Sequence, residues 1–236
     1  MPGFFFSRTS RITPASLHPR MQVKVIRSIL NNPDRQTEHT KLDRQRPGGC
    51  MTPEQAISTL KTGNQRFASG TLESPNLDEE RRRKLIRDGQ NPFAAVLACS
   101  DSRVPVEILF DCGLGDLFVI RVAGNVPGPT VVASLQYAIE VLKVPLIVVL
   151  GHEDCGAVGA AFAKTELPPP LIELIDMVEI GDCDNIACAV EMNVESGIRT
   201  IRETLPTVTS LESSGTLIVA GAVYSIESGE VHWLEK

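Results

Sequence analysis

Two places in this chain carry residues of metal-binding type. Cys99 follows the apolar run Phe93-Ala-Ala-Val-Leu-Ala98. His152 and Cys155 follow a second apolar run, Leu146-Ile-Val-Val-Leu150, inside Gly151-His-Glu-Asp-Cys-Gly156. Two cysteines and one histidine suit a catalytic zinc ion, with a fourth position open to water. Zinc held in this way lowers the pKa of that water towards ~7. Cys155 stands where a helix begins, and the free N–H groups and dipole there favour a thiolate. Asp101 and Arg103 lie two residues apart just after the first run. A guanidinium gives a carboxylate a planar, two-pronged partner that keeps its charge and direction. Taken singly, each cysteine reads as core, the histidine as a satisfied loop residue and Asp101–Arg103 as a turn ion pair. The coincidence of all of them at two strand ends points to a metal centre.

The elements that must position these residues alternate. Strands are expected at 93–98, 117–122, 146–150, 216–224 and 231–234. Helices are expected at 106–109, 130–142, 157–164 and 186–205, from the spacing of their apolar residues. Such alternation implies an α/β fold with a mainly parallel central sheet, about four parallel strands, covered on both faces by helices. The Ser228-Gly229 turn should add an antiparallel edge strand. In such sheets ligands bind beyond the carboxyl ends of the strands, where Cys99 and His152 fall. Two helices come first, near 52–70 and 78–87. Thr52-Pro53-Glu54 gives the first an N-cap and a proline at its first position. Both are expected to pack on a neighbouring molecule, because no partner precedes the first strand.

Charge separates the chain into two parts. Residues 1–50 carry nine Lys/Arg against three Asp/Glu, which leaves fourteen against twenty-six in residues 51–236. The basic part, with no acidic residue before Asp34, is expected to be a disordered or targeting extension, in composition like a mitochondrial or plastid transit peptide. The acidic part argues against a nucleic-acid partner. No apolar run reaches the ~20 residues that span a membrane. The six cysteines sit in an α/β pattern and not in a short disulfide framework. This predicts a reducing compartment, cytoplasmic or organellar, with Cys112, Cys183 and Cys188 as buried thiols.

Cys99-Ser-Asp-Ser-Arg-Val104 and Gly151-His-Glu-Asp-Cys-Gly-Ala-Val158 resemble the two signature stretches of β-class carbonic anhydrases. The resemblance continues through Gly115-Asp-Leu-Phe-Val-Ile-Arg-Val-Ala-Gly-Asn125 and Gly221-Ala-Val-Tyr224, and covers nearly all of 51–236. It implies one Zn2+ per chain held by Cys99, His152 and Cys155, with Asp101 and Arg103 as the catalytic pair. It implies that Gln90 hydrogen-bonds substrate, and that Phe118 and Tyr137 line an apolar substrate pocket, partly across a dimer interface. From the residues alone, Phe118 and Tyr137 read as core packing. The implied reaction is reversible hydration of CO2 to bicarbonate and a proton through zinc-bound hydroxide. The implied assembly is a homodimer or a dimer of dimers, with the N-terminal helices embracing a second subunit.

The sequence departs from the family pattern at Glu153 and Asp154, where Ser or Thr usually follows the metal histidine. Two charges there are expected either to raise the pKa of a metal-bound water or to face solvent. The proline-rich segment 164–186 is also short. Two other readings use the same ligands: a CS2 or COS hydrolase of this fold, and a non-catalytic zinc or bicarbonate-binding homologue.

Overall fold

The computed structural model describes residues 51–235. The expectation of a disordered or targeting extension over 1–50 therefore lies outside the described residues.

Helix α1 (Pro53–Ala68) opens with a full capping box. The Thr52 hydroxyl accepts from the Gln55 N–H, and the Gln55 side chain accepts from the Thr52 N–H. Two orphan donors of the first turn are thus satisfied reciprocally. Helix α2 (Glu79–Asp88) is capped by Asp78 and closed at Gly89, whose φ of 77° suits a residue without a Cβ. Then follow β1 (Ala94–Ala98), α3 (Val106–Leu109), β2 (Leu117–Arg121), a 3-10 turn (Ala123–Asn125), α4 (Pro129–Glu140) and β3 (Leu146–His152). The rest of the chain forms α5 (Gly156–Phe162), α6 (Leu171–Ile175), α7 (Ile186–Thr204), α8 (Pro206–Ser213), β4 (Ile218–Tyr224) and β5 (Val231–Trp233). The sequence reading did not foresee α6, or α8 as a helix separate from α7.

The sheet has the order β2-β1-β3-β4-β5. The first four strands are parallel and β5 pairs antiparallel to β4, as expected. Strands β1 and β3 are buried throughout, which is why they read as unbroken apolar runs. Alternate residues feed two cores. Ala95, Leu97, Ile147 and Val149 pack with α4, α7 and α8 through Leu135, Val194, Ile201 and Val208. Ala94, Val96, Val148 and Leu150 pack with α1 and α3 through Leu60, Val106 and Leu109. Burying each Leu or Ile contributes about 1.5–3 kcal/mol. From β1 the chain passes outward to β2, then back across β1 to β3. The carboxyl ends of β1 and β3 therefore lie side by side at the point where the winding reverses, the usual place for a ligand crevice.

Helix α1 corrects one expectation. It packs on its own chain, burying Ala56, Leu60, Gly63 and Asn64. The buried Asn64 amide donates to the carbonyls of Leu109 and Gly229 and accepts from the Val231 N–H. The partner was missed because it comes later in the sequence, in α3 and at the β5 turn. Helix α2 buries no residue, and Ile86 is 84% exposed.

The approach of α1 is close enough to test. A Cβ built on Gly63 would lie 1.9 Å from the Phe110 carbonyl oxygen. Helix propensity alone would make Gly63→Ala stabilising by about 1 kcal/mol. Overpacking against backbone is expected to win, for a net loss of roughly 1–3 kcal/mol. Denaturant unfolding reads the sign directly.

Two cysteines also depart from expectation. Cys183 and Cys188 form a disulfide, with Cα atoms 5.6 Å apart. The start of α7 brings them together: Asn185 caps the helix by accepting from the Cys188 N–H, which folds residues 183–188 into a tight turn. Cys112 is a half-buried free thiol, and burial pushes it up to about 12.

Candidate metal centre

Strand β3 runs two residues longer than predicted, so His152 is its last residue, paired in register with Tyr224. Cys99 follows the last residue of β1. Cys155 is the N-cap residue of α5. All three are buried, and their ligand atoms lie within 4.8 Å of one another. The two sulfurs are 3.9 Å apart. Two thiolates on one tetrahedral zinc, at Zn–S ~2.3 Å, would stand about 3.8 Å apart.

The histidine is set up as a ligand. Its Nδ1 lies 2.7 Å from the Glu153 carbonyl oxygen. A carbonyl only accepts, so Nδ1 carries the proton and Nε2 presents its lone pair. That Nε2 is buried and, among the described residues, has no hydrogen-bond partner. An orphaned buried acceptor is costly unless something fills the position, and the two sulfurs beside it make a donor set that fits a cation. The cysteines say the same. The contact with Cys155 comes first in favouring Cys99 as the thiolate, and the Asp101 and Gly124 N–H groups favour it too. That same contact and burial hold Cys155 up, against the Val158 and Ala157 N–H groups of α5. Two thiolates this close in a buried site need a cation between them.

Asp101 and Arg103 are paired as expected. Arg103 Nε and Nη2 donate to the two Asp101 oxygens at 3.0 and 2.8 Å, and the Arg103 backbone N–H adds a third bond at 2.9 Å. The Arg103 side chain and backbone bonds hold the Asp101 carboxyl below its ordinary range. Arg103 also donates to the Asp154 carbonyl at 3.2 Å, tying the β1 loop to the β3 loop.

The remaining expected residues stand apart from this cluster. Gln90 is exposed in the loop before β1, and among the described residues no hydrogen bond joins it to the ligands. Phe118 on β2 and Tyr137 on α4 stack on each other, with ring centroids 6.0 Å apart. Tyr137 remains 45% exposed.

Three supporting residues escaped the sequence reading. Arg121, the last residue of β2, donates to the Cys99 carbonyl at 2.9 Å and also to the Asp101 carbonyl, so it braces the loop that bears both. The Gly124 N–H points at the Cys99 sulfur from 3.4 Å. Asn193, buried in α7, donates to the Gly124 carbonyl at 2.9 Å and holds that turn in place. The one available signal was Asn193 itself, a polar residue at helical spacing within the stripe Val190, Val194, Gly197 and Ile201. Glu153 is exposed, in line with one of the two expectations, but its carboxylate is also held. Its carboxylate accepts from the Ser225 hydroxyl at 2.9 Å and the Ile226 N–H at 3.0 Å. Asp154 is exposed, in the left-handed region at φ 52°.

Comparison with known proteins places this geometry in context. A family model described as carbonic anhydrase matches residues 94–231. Carbonic anhydrase 2 of Mycobacterium tuberculosis is 38% identical over 195 residues, covering 75% of this chain and 90% of that protein. The carbonic anhydrase of Mycolicibacterium smegmatis is 39% identical over 192 residues, covering 76% and 92%. The solved structure of the β-carbonic anhydrase CcaA superposes with a TM-score of 0.60 at 28% identity, covering 76% of this chain and 95% of that one.

Proposed function

This chain belongs to the β-carbonic anhydrase family, and on that premise we propose that it hydrates CO2 with a zinc ion held by Cys99, His152 and Cys155. It is a carbonate dehydratase, a lyase. The observation that carries the zinc reading is the convergence of two buried sulfurs on a buried His152 Nε2 that lacks any other partner. Zinc at that point would supply Lewis acidity and bring the pKa of a bound water towards ~7.

The chain's own residues then divide the work. Arg103 keeps Asp101 ionised and aimed, so Asp101 is a fixed acceptor for the O–H of the reacting water. The anionic acceptor is preorganised by its two Arg103 bonds. Arg121 and Gly124 hold the Cys99 loop against the sheet, so the acceptor and the ligand keep a constant separation. Gln90 is assigned to the substrate oxygen, and Phe118 with Tyr137 to the apolar wall that admits CO2. The resemblance to the family supports these three assignments. The edge strand β2, half-buried and paired on one side only, and the bare helix α2 support assembly as a homodimer or dimer of dimers.

Zinc analysis of the purified protein, together with stopped-flow CO2 hydration, tests this reading. One zinc per chain and rapid hydration are expected. Stoichiometric zinc without hydration between about pH 7 and 9, where the bound water ionises, would instead make the chain a non-catalytic zinc protein. Turnover confined to COS or CS2 in parallel assays would replace the substrate.

A further inference from the structure

Glu153 sits between two metal ligands in sequence, yet every polar group it has is used elsewhere. Its N–H donates to the Tyr224 carbonyl at 3.0 Å, continuing the β3–β4 ladder one step past His152. Its carbonyl accepts the His152 Nδ1–H at 2.7 Å. Its carboxylate accepts from the Ser225 hydroxyl and the Ile226 N–H, at the start of the β4–β5 turn. Ser225 is itself fixed: it is 6% exposed, its hydroxyl accepts from the Ser228 N–H, and its backbone bonds to Glu230 and Gly229. The next peptide is also held, since Arg103 donates to the Asp154 carbonyl.

We propose that Glu153 is a positioning residue, its carboxylate anchored on the β4–β5 turn so that its own carbonyl fixes the tautomer and aim of His152. The proposal rests on His152 being a metal ligand. The physical reason is local. The ladder ends at the Glu153 N–H, so the carbonyl side of residue 153 lies beyond it, and the exposed Asp154 follows in a left-handed turn. The direction of the Glu153 carbonyl depends on the ψ angle of that one residue. Two hydrogen bonds to its side chain, from the buried Ser225 hydroxyl and the Ile226 N–H, hold this angle. Partners of a ligating imidazole set its ring orientation and basicity, and losing them costs 10–100-fold in metal affinity. The charge at position 153 is thereby absorbed by two donors on the side of the β4–β5 turn.

The test is zinc transfer from the zinc-loaded protein to the chelator 4-(2-pyridylazo)resorcinol, alongside proton NMR of the imidazole N–H. Glu153→Ala is expected to release zinc ~10-fold faster or more and to lose the hydrogen-bonded Nδ1–H resonance. Glu153→Gln keeps an oxygen that accepts from both donors, and is expected to stay close to the parent in both readouts. Ser225→Ala removes one donor of the two and should fall between them, and it carries the test if Glu153→Ala does not fold. Release at the parent rate from Glu153→Ala and Ser225→Ala, with the resonance unchanged, overturns the proposal. So does a glutamine variant as impaired as the alanine one. A parent protein that takes up no zinc would overturn the metal reading as well, whereas a zinc-binding parent with indifferent variants would overturn this inference alone.

Discussion

Replacing Cys99 with serine is expected to strip the protein of stoichiometric zinc and to lower CO2 hydration by at least ~100-fold, since loss of a partner one shell further out already costs 10–100-fold. The serine hydroxyl is a poor substitute because it does not ionise in this range, while a thiolate is both charged and soft. Of the two sulfurs, Cys99 is the one whose surroundings favour the anion: the Cys155 contact first, then the Asp101 and Gly124 N–H groups. A serine at 99 leaves those donors facing a neutral oxygen, and it leaves Cys155 without its partner. Zinc content and stopped-flow hydration are read on the same preparation. A serine variant with full zinc and the parent rate would remove Cys99 from the ligand set and with it the mechanism proposed for this centre.

Asp101→Asn should behave differently, retaining zinc while kcat falls by ~10²-fold, the scale of losing one preorganised electrostatic partner. The amide matches the carboxylate in shape, so the loop should keep its fold, but two things change. Arg103 loses the anion that its Nε and Nη2 grip at 3.0 and 2.8 Å. The group facing the reacting water can now donate where it could only accept before. Unchanged zinc with lowered kcat separates Asp101 from the ligands, and loss of zinc would instead give it a role in holding the metal. Arg103 holds the Asp101 carboxyl below its ordinary range. The stability this pair contributes is therefore complete above the unfolded carboxylate value of ~3.9, and is lost only as pH falls through the lower folded value. With side-chain exposures of 19% and 45%, that contribution is small. The assignment of Asp101 accordingly rests on kinetics more than on stability.

Much of this protein was legible in its sequence, for reasons particular to certain residues. Strands β1 and β3 are buried on both faces, so they had to be apolar without interruption, and such runs stand out. The capping group at Thr52 acts within one helical turn, so its spacing shows it directly. The three residues that could hold a metal were visible because a parallel sheet delivers the residues at its strand ends to one edge. Asp101 and Arg103 were legible as an ion pair from their spacing, and the structure shows that pair; the family resemblance implied its catalytic role.

What tertiary structure decided lies where partners are distant along the chain. Ser225 is 72 residues from Glu153, and nothing near Glu153 in sequence says that its carboxylate bonds to the β4–β5 hairpin. Asn193 is 69 residues from the Gly124 carbonyl that it holds. Arg121 reaches back 22 residues to Cys99. Helix α1 finds its groove beside α3 only once β1 is in place, so its packing on its own chain was not foreseen. Local rules of spacing and capping determined the elements and the residues at their ends. The order β2-β1-β3-β4-β5 decided which ends became neighbours. Hydrogen bonds across that order, not sequence spacing, decided which way each side chain beside the metal centre faces.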